Sequence, residues 1–183
     1  MNNELTARNI DNEITRYHGL IKNIAVPSVG LKGVGLFTYL KRHRVKTGPY
    51  PDVTLFEAAN RIMTDLVILH GVKWLLSTNA FPFASYLVEY GNEAVNDHDI
   101  MATARGQSLV GEAFNVAPSF FQVKKRAMLQ KLRASNNTAD YKLIMANSDA
   151  VRRGYRPKPG LREYYLFVDI ASGDSTMFTS PDM

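Results

Sequence analysis

The chain has 183 residues, enough for one domain with a sizeable core, and its lack of cysteine excludes disulfide bonds, thiolate metal sites and cysteine nucleophiles. Its 22 Lys and Arg against 17 Asp and Glu give a net charge of +5, which is compatible with a polyanionic partner. The short apolar runs exclude a membrane span, the N-terminus lacks the apolar block of a secretion signal, and we therefore expect a cytoplasmic protein with no membrane partner.

Residues 1–50 are expected to form an N-terminal helical extension. Within residues 3–24, apolar side chains recur at helical spacing. The Gly-rich residues 26–35 lack the Gly-Lys-Ser/Thr ending of a phosphate-binding loop, so we interpret them as a flexible turn or hairpin. Residues 47–52 have the composition of a linker, which places the main domain at residues 51–183.

The main domain is predicted to begin with a helix at Thr54, where Thr54 and Glu57 have the spacing of a capping box. Short apolar segments bounded by Gly, Asn or Asp then predict three strands. The remaining elements are a second helix, which begins at Ser119, and two further strands. In order, the predicted strands and second helix are residues 81–89, 95–104, 108–116, 119–134, 141–146 and 162–171. This order predicts an α/β fold with a mixed sheet of four to five strands flanked by helices.

Two acidic residues, Asp99 and Glu112, lie on consecutive predicted strands. If these strands pair through the turn at residues 105–107, both carboxylates reach the same end of the sheet. Two carboxylates that face one point suit Mg²⁺, which can polarise a phosphoryl oxygen and lower the pKa of an attacking water. The alternative interpretations are an edge-exposed position for Glu112 and a strand-entry turn for Asp99.

Basic residues cluster in residues 41–46, 119–135 and 152–162. Each cluster alone is compatible with a solvated surface, but three clusters together favour a nucleic acid as the partner. The residues expected to contact nucleic acid are Arg105, Gln107, Gln122, Arg126, Lys131, Arg152, Arg153 and Arg156.

Over about residues 54–146, the order of helix, three strands, helix and strand, with Asp99 and Glu112 on consecutive strands, resembles the PD-(D/E)XK nuclease superfamily and its restriction-endonuclease-like core. The resemblance implies an endonuclease of the restriction or mobile-element and defence type that hydrolyses DNA with Mg²⁺ or Mn²⁺. It also implies that Asp99, Glu112 and the carbonyl of Ala113 bind the metal. A further acid on the first core helix would be Glu57, for which capping of that helix is the alternative.

The sequence departs from the Glu-x-Lys pattern of this family, because Phe114 takes the position of the lysine. His98 also precedes Asp99 where the family has proline. The next helix offers Lys124 or Lys125 as the missing ammonium, and we favour Lys124. The alternative function is a non-catalytic nucleic-acid-binding protein, or an accessory protein, on a degenerate nuclease fold. A homodimer, by analogy with other compact nucleases, and a separate partner subunit both stay open.

Overall fold

The computed structural model describes residues 3–25, 30–91, 96–134 and 138–180. Within these ranges, four α-helices and one short 3-10 helix accompany a single sheet. None of the helices in these ranges is long and apolar enough to cross a membrane. The elements are β1 (Glu4–Thr6), α1 (Ile10–Lys22), α2 (Gly33–Arg42), α3 (Leu55–Thr78), β2 (Ser85–Val88), β3 (Ile100–Ala104), β4 (Gln107–Phe114), α4 (Phe121–Ala134), β5 (Tyr141–Asn147), the 3-10 helix (Ser148–Ala150), β6 (Glu163–Val168) and β7 (Ser175–Phe178).

The strands lie side by side in the order in which they occur along the chain. Strands β1 to β4 are antiparallel, β4, β5 and β6 are parallel, and β7 is antiparallel to β6. A parallel pair needs a crossover connection, which α4 supplies between β4 and β5. The predicted α/β class and the mixed sheet are therefore confirmed.

The predicted number of four to five strands is wrong, because the described residues contain seven strands in one sheet. The two additional strands are short and lie at the sheet edges. β1 has three residues, and its central Leu5 fits the apolar spacing of the following helix as well as that of a strand. β7 lies in a tail that the sequence predicts to be loose. The N-terminal segment is therefore not only helical, since it adds an edge strand through the pairing of Leu5 with Tyr86.

Two helices also differ from their predicted bounds. α2 includes the end of the Gly-rich stretch that was expected to form a turn. α3 continues to Thr78, past Gly71, which the sequence predicts to lie near the end of this helix. Gly71 instead allows β5 to pack closely against α3. A Cβ atom at Gly71 would lie 2.6 Å from Met145 Sδ. Parts of three predicted elements lie outside the described residues. They are residues 26–29 of the predicted turn, residue 95 of the second predicted strand, and residues 135–137, where the second predicted helix ends.

The sheet is packed between α3 on one face and α4 on the other. Side chains of β4 alternate between these faces, as the pleat of a strand requires. Leu109 and Ala113 belong to the core on the α3 side, whereas Val110 and Phe114 belong to the core on the α4 side. Glu112 shares the parity of Val110 and Phe114, so its side chain is directed towards α4.

A fully buried carboxylate, Asp65 on α3, connects three distant parts of the chain. The hydroxyl groups of Tyr17 and Tyr50 both donate to Asp65 Oδ2. Gly91 N donates to Asp65 Oδ1 at 3.0 Å. Burial raises the pKa of Asp65, and these donors oppose the shift. Asp65 thereby holds α1, the segment that contains Tyr50 and the segment after β2 against α3.

Candidate carboxylate site

The β3–β4 hairpin brings Asp99 and Glu112 to one end of the sheet. At its turn, Arg105 and Gly106 have φ angles of 51° and 78°, and a type I′ turn requires positive φ at both positions. The resulting register pairs Ile100 with Gly111. Asp99 therefore stands beside Glu112, and its Oδ2 accepts a hydrogen bond from Ala113 N at 2.8 Å.

Both carboxylates line a cavity of about 230 Å³, which we call the carboxylate cavity. Its walls come from β4, α3, α4 and the segments before β3 and after β2. The cavity brings three acidic side chains and two lysines together. Its lining residues are Thr64, Ile68, Glu89, Gly91, Asn96, Asp99, Glu112, Ala113, Lys124, Met128 and Lys131.

Glu112 is a buried acid with two cationic or polar partners. Its side chain is 2% exposed, and Lys131 Nζ lies 2.8 Å from Oε1 and 2.9 Å from Oε2. His98 Nδ1 lies 2.7 Å from the same Oε1. A buried carboxylate without such partners would be costly, so this pairing explains how β4 accommodates an acid.

Asp99 lies in a crowded, negatively charged environment. Burial raises the pKa of its carboxyl to about 6. The hydrogen bond from Ala113 N opposes this shift, the charges of Glu112 and Glu89 add to it, and Lys131 opposes it. A carboxyl group with a raised pKa beside other acids is typical of acid–base and cation-binding sites.

The oxygen donors of the carboxylate cavity suit Mg²⁺ or Mn²⁺ by their chemistry. Within the described ranges, no group of three or more His, Cys, Asp or Glu side chains has the arrangement of a metal site. Mg²⁺, however, commonly uses only one or two protein carboxylates and completes its shell with water and phosphate oxygens. Asp99, Glu112 and the backbone of Ala113 meet this lower requirement, although Lys131 contacts both oxygens of Glu112.

The two candidate lysines of α4 point to different places. Lys124 lines the carboxylate cavity and an adjoining cavity of about 300 Å³. Lys125 Nζ instead donates to the hydroxyl of Tyr155 at 3.1 Å. Of these two lysines, Lys124 alone lines the carboxylate cavity.

Glu57 lines the adjoining cavity but not the carboxylate cavity. Its Oε1 forms an ion pair with Arg61 at 2.6 Å. Its backbone N donates to the side chain of Thr54 at 3.2 Å, so the alternative role at the helix start is present.

The residues expected to contact nucleic acid lie in several places. Arg105 and Gln107 lie at the turn of the hairpin, at the end opposite to Asp99. Gln107 Nε2 donates to the Tyr141 hydroxyl at 3.2 Å. Arg126 is exposed on α4. Gln122 and the arginines at positions 152, 153 and 156 line two further cavities.

Sequence reasoning missed the position of Lys131, which it assigned to nucleic acid and which contacts Glu112. The signal was present in the helical spacing. Lys124, Met128 and Lys131 recur at intervals of four and three residues, so they share one face of α4. The cavity lining confirms that shared face. Glu89 was also missed, because nothing in the sequence separates it from the acids of an ordinary strand end.

No protein-family model, no curated protein and no solved structure matches this chain.

Proposed function

We propose that this protein is a metal-dependent deoxyribonuclease whose centre is the carboxylate cavity. The observation that carries the proposal is the convergence of Asp99 and the buried Glu112, from one hairpin, with Lys124 and Lys131 from α4. Acids and ammonium groups around one small cavity can bind a cation and a phosphate together. The basic surface supports a polyanionic substrate, because the chain carries a net charge of +5.

Asp99, Glu112 and the Ala113 carbonyl would hold Mg²⁺ or Mn²⁺, and the bound ion would supply a Lewis acid and an acidified water. Burial raises the pKa of Asp99, with further contributions from the charges of Glu112 and Glu89, and a bound cation would stabilise the ionised form that this environment disfavours. His98 would orient Glu112 through the 2.7 Å contact of its Nδ1 with Oε1, an oxygen that Lys131 also contacts.

We propose that Lys124 takes the role of the catalytic lysine. The family pattern has this lysine two residues after the Glu, where this chain has Phe114. Lys124 lines both the carboxylate cavity and the adjoining cavity, so its ammonium is available to a phosphate that enters either one. A fixed ammonium stabilises the negative charge that develops on phosphoryl oxygens during hydrolysis. Lys131 balances the charge of Glu112 while no cation is bound.

One observation favours a second candidate function, a non-catalytic DNA-binding protein on a degenerate nuclease fold. Both oxygens of Glu112 are engaged by Lys131, and this pairing already satisfies the buried acid without a metal. A binding protein of this kind would bind DNA with an affinity that falls steeply as the salt concentration rises and that does not require a metal.

The test is nicking of supercoiled plasmid by the purified protein with Mg²⁺, Mn²⁺ or EDTA. We expect metal-dependent nicking that is lost in Asp99→Asn and in Glu112→Gln. Glu163→Gln is the matched control, because Glu163 is also a buried acid paired with a cation of α4, Arg133, yet it does not line the carboxylate cavity. The control variant should cut like the wild type.

If the wild type does not nick the plasmid in either metal but still shifts DNA in a gel, and if this binding weakens with salt, the binding function replaces the nuclease proposal. Equal loss of nicking in Glu163→Gln and Glu112→Gln would mean that folding, and not a metal site, explains the result. Circular dichroism of each variant separates these outcomes.

A further inference from the structure

A second concave surface lies beside the first turns of α4. It consists of two cavities, of about 430 Å³ and 230 Å³, that share Val151, Arg152 and Tyr155. We call it the arginine groove. α4 contributes Phe121 and Gln122 to this groove and Lys124 to the carboxylate cavity, so the two sites flank the same helix turns. Its lining residues are Pro118, Ser119, Phe121, Gln122, Ser148, Ala150, Val151, Arg152, Arg153, Gly154, Tyr155, Arg156, Phe167, Thr176 and Phe178.

The groove is positively charged. Arg152, Arg153 and Arg156 line it and are exposed, whereas none of the described residues that line it is acidic. Lys125 adds a further positive charge, because its ammonium is hydrogen-bonded to the hydroxyl of Tyr155. This charge complements an anionic ligand.

The groove also places aromatic rings among its cations. The ring of Tyr155 contacts Phe121 and Phe167, with centroids 5.5 Å and 6.1 Å apart. The guanidinium of Arg156 lies 5.3 Å from the centroid of the Phe178 ring. In the larger cavity, Phe121 and Ala150 are buried while the other residues are at least partly exposed. An apolar floor with a cationic rim suits a ligand in which a planar ring is linked to an anionic group.

We propose that the arginine groove binds unpaired nucleotides of a DNA strand next to the phosphate that enters the carboxylate cavity. Proteins that bind single strands combine a basic groove with aromatic side chains in this way. A duplex keeps the faces of its bases stacked on one another, so it offers no free base face to the apolar floor. The preferred substrate is therefore DNA with a single-stranded segment beside the cut. This role in cutting rests on the proposed nuclease function, whereas strand binding is measured separately.

The test compares fluorescence anisotropy of a labelled oligo-dT with that of a blunt duplex of equal length. The wild type should bind oligo-dT more tightly. Arg152→Ala should weaken oligo-dT binding about tenfold and lower the salt slope by about one. Ser119→Trp, which fills the larger cavity from its exposed rim, should weaken binding of oligo-dT but not of the duplex. Arg8→Ala is the matched control, because Arg8 is exposed and lies far from the groove residues in the sequence; this variant should bind like the wild type.

Plasmid nicking measured on the same preparations separates this inference from the nuclease proposal. Unchanged oligo-dT affinity in Arg152→Ala overturns the inference whether or not the wild type cuts. Equal wild-type affinity for oligo-dT and duplex overturns the preference for unpaired nucleotides. If the wild type never cuts while Arg152→Ala and Ser119→Trp lose oligo-dT binding, the groove stands as a single-strand site and the nuclease proposal fails. If Ser119→Trp does not fold, the exposed Arg152→Ala variant decides alone.

Discussion

Lys131 Nζ lies within 2.9 Å of both carboxylate oxygens of Glu112, so a half-exposed ammonium on α4 neutralises an acid that is buried in β4. The contact joins the crossover helix to the strand that precedes it. It also occupies the oxygens that a cation would use. If the proposed metal binds at Glu112, Lys131 and the metal would be alternative partners for one carboxylate, and removing the lysine makes their competition measurable.

Replacing Lys131 with methionine keeps the apolar stem and removes the charge. Without metal, Lys131→Met should lower the free energy of unfolding by about 1–3 kcal/mol, because Glu112 loses a partner in a buried position. In Mg²⁺, the loss should shrink, since the cation takes the place of the ammonium. Urea unfolding with and without Mg²⁺ measures both effects. Arg126→Met, on the exposed side of α4, is the control and should change stability by less than about 0.5 kcal/mol. An identical loss with and without Mg²⁺ would contradict cation binding at Glu112.

The pKa of Asp99 predicts a pH dependence of stability. Burial raises this pKa from its usual 3.8 to about 6, so the folded protein binds the proton more tightly than the unfolded chain does. The contribution of Asp99 to stability should therefore fall as the pH rises from about 4 to about 6. At about 1.4 kcal/mol for each pKa unit, the loss due to Asp99 is on the order of 3 kcal/mol at most.

Asp99→Asn checks this pH dependence, because asparagine still offers an oxygen to Ala113 N but carries no titrating proton. The difference in unfolding free energy between the variant and the wild type, measured by urea unfolding from pH 4 to pH 7, should grow in favour of the variant with rising pH. Parallel curves for the two proteins would show that Asp99 titrates normally. Saturating Mg²⁺ should reduce the dependence in the wild type alone.

Lys124 and Lys125 are adjacent, and replacing either one with alanine removes one positive charge from α4. Lys124→Ala should lower kcat for plasmid nicking by about 10²–10³, the usual loss for one preorganised group that stabilises transition-state charge. Lys125→Ala should act mainly on KM, because Lys125 contacts Tyr155 and does not line the carboxylate cavity. Steady-state kinetics on both variants provides the comparison. Equal reductions of kcat would mean that only the summed charge of α4 matters.

The buried Asp65 cluster predicts unequal effects of two similar tyrosine substitutions. Tyr17→Phe removes a donor to Asp65 and should cost about 1–3 kcal/mol of stability. Tyr86→Phe is the control, since the buried Tyr86 hydroxyl has no hydrogen-bond partner among the described residues, and its removal should be neutral or stabilising. Thermal unfolding of both variants measures the difference. A larger loss for Tyr86→Phe would contradict the assignment of Asp65 as the polar anchor of α1.

The sequence predicted the parts of the site that depend on local chemistry. The turn at Arg105 and Gly106 set the hairpin register, and that register placed Asp99 beside Glu112. The parts that depend on packing were not predictable. Helical spacing places Lys131 on the same face of α4 as Lys124, but it does not identify Glu112 as its partner, because their pairing arises only when α4 crosses the sheet.

The edge strand β1 and the Asp65 cluster were not predictable for the same reason, because both depend on contacts between distant parts of the chain. Strand β1 has only three residues, and it exists because β2 offers it an edge to pair with. Asp65 lies on an otherwise apolar helix face, and its two tyrosine donors are 48 and 15 residues away along the chain. Periodicity within one window carries no information about partners at such distances.

The pairing of Leu5 with Tyr86 has a consequence for the order in which the protein can fold during synthesis. β1 leaves the ribosome long before β2 is synthesised, so it has no strand to pair with until β2 emerges. The hairpin that carries Asp99 and Glu112 closes over a two-residue turn and needs no distant segment. The carboxylate pair can therefore form within one short stretch of the chain, whereas the N-terminal strand depends on a partner that is made much later than itself.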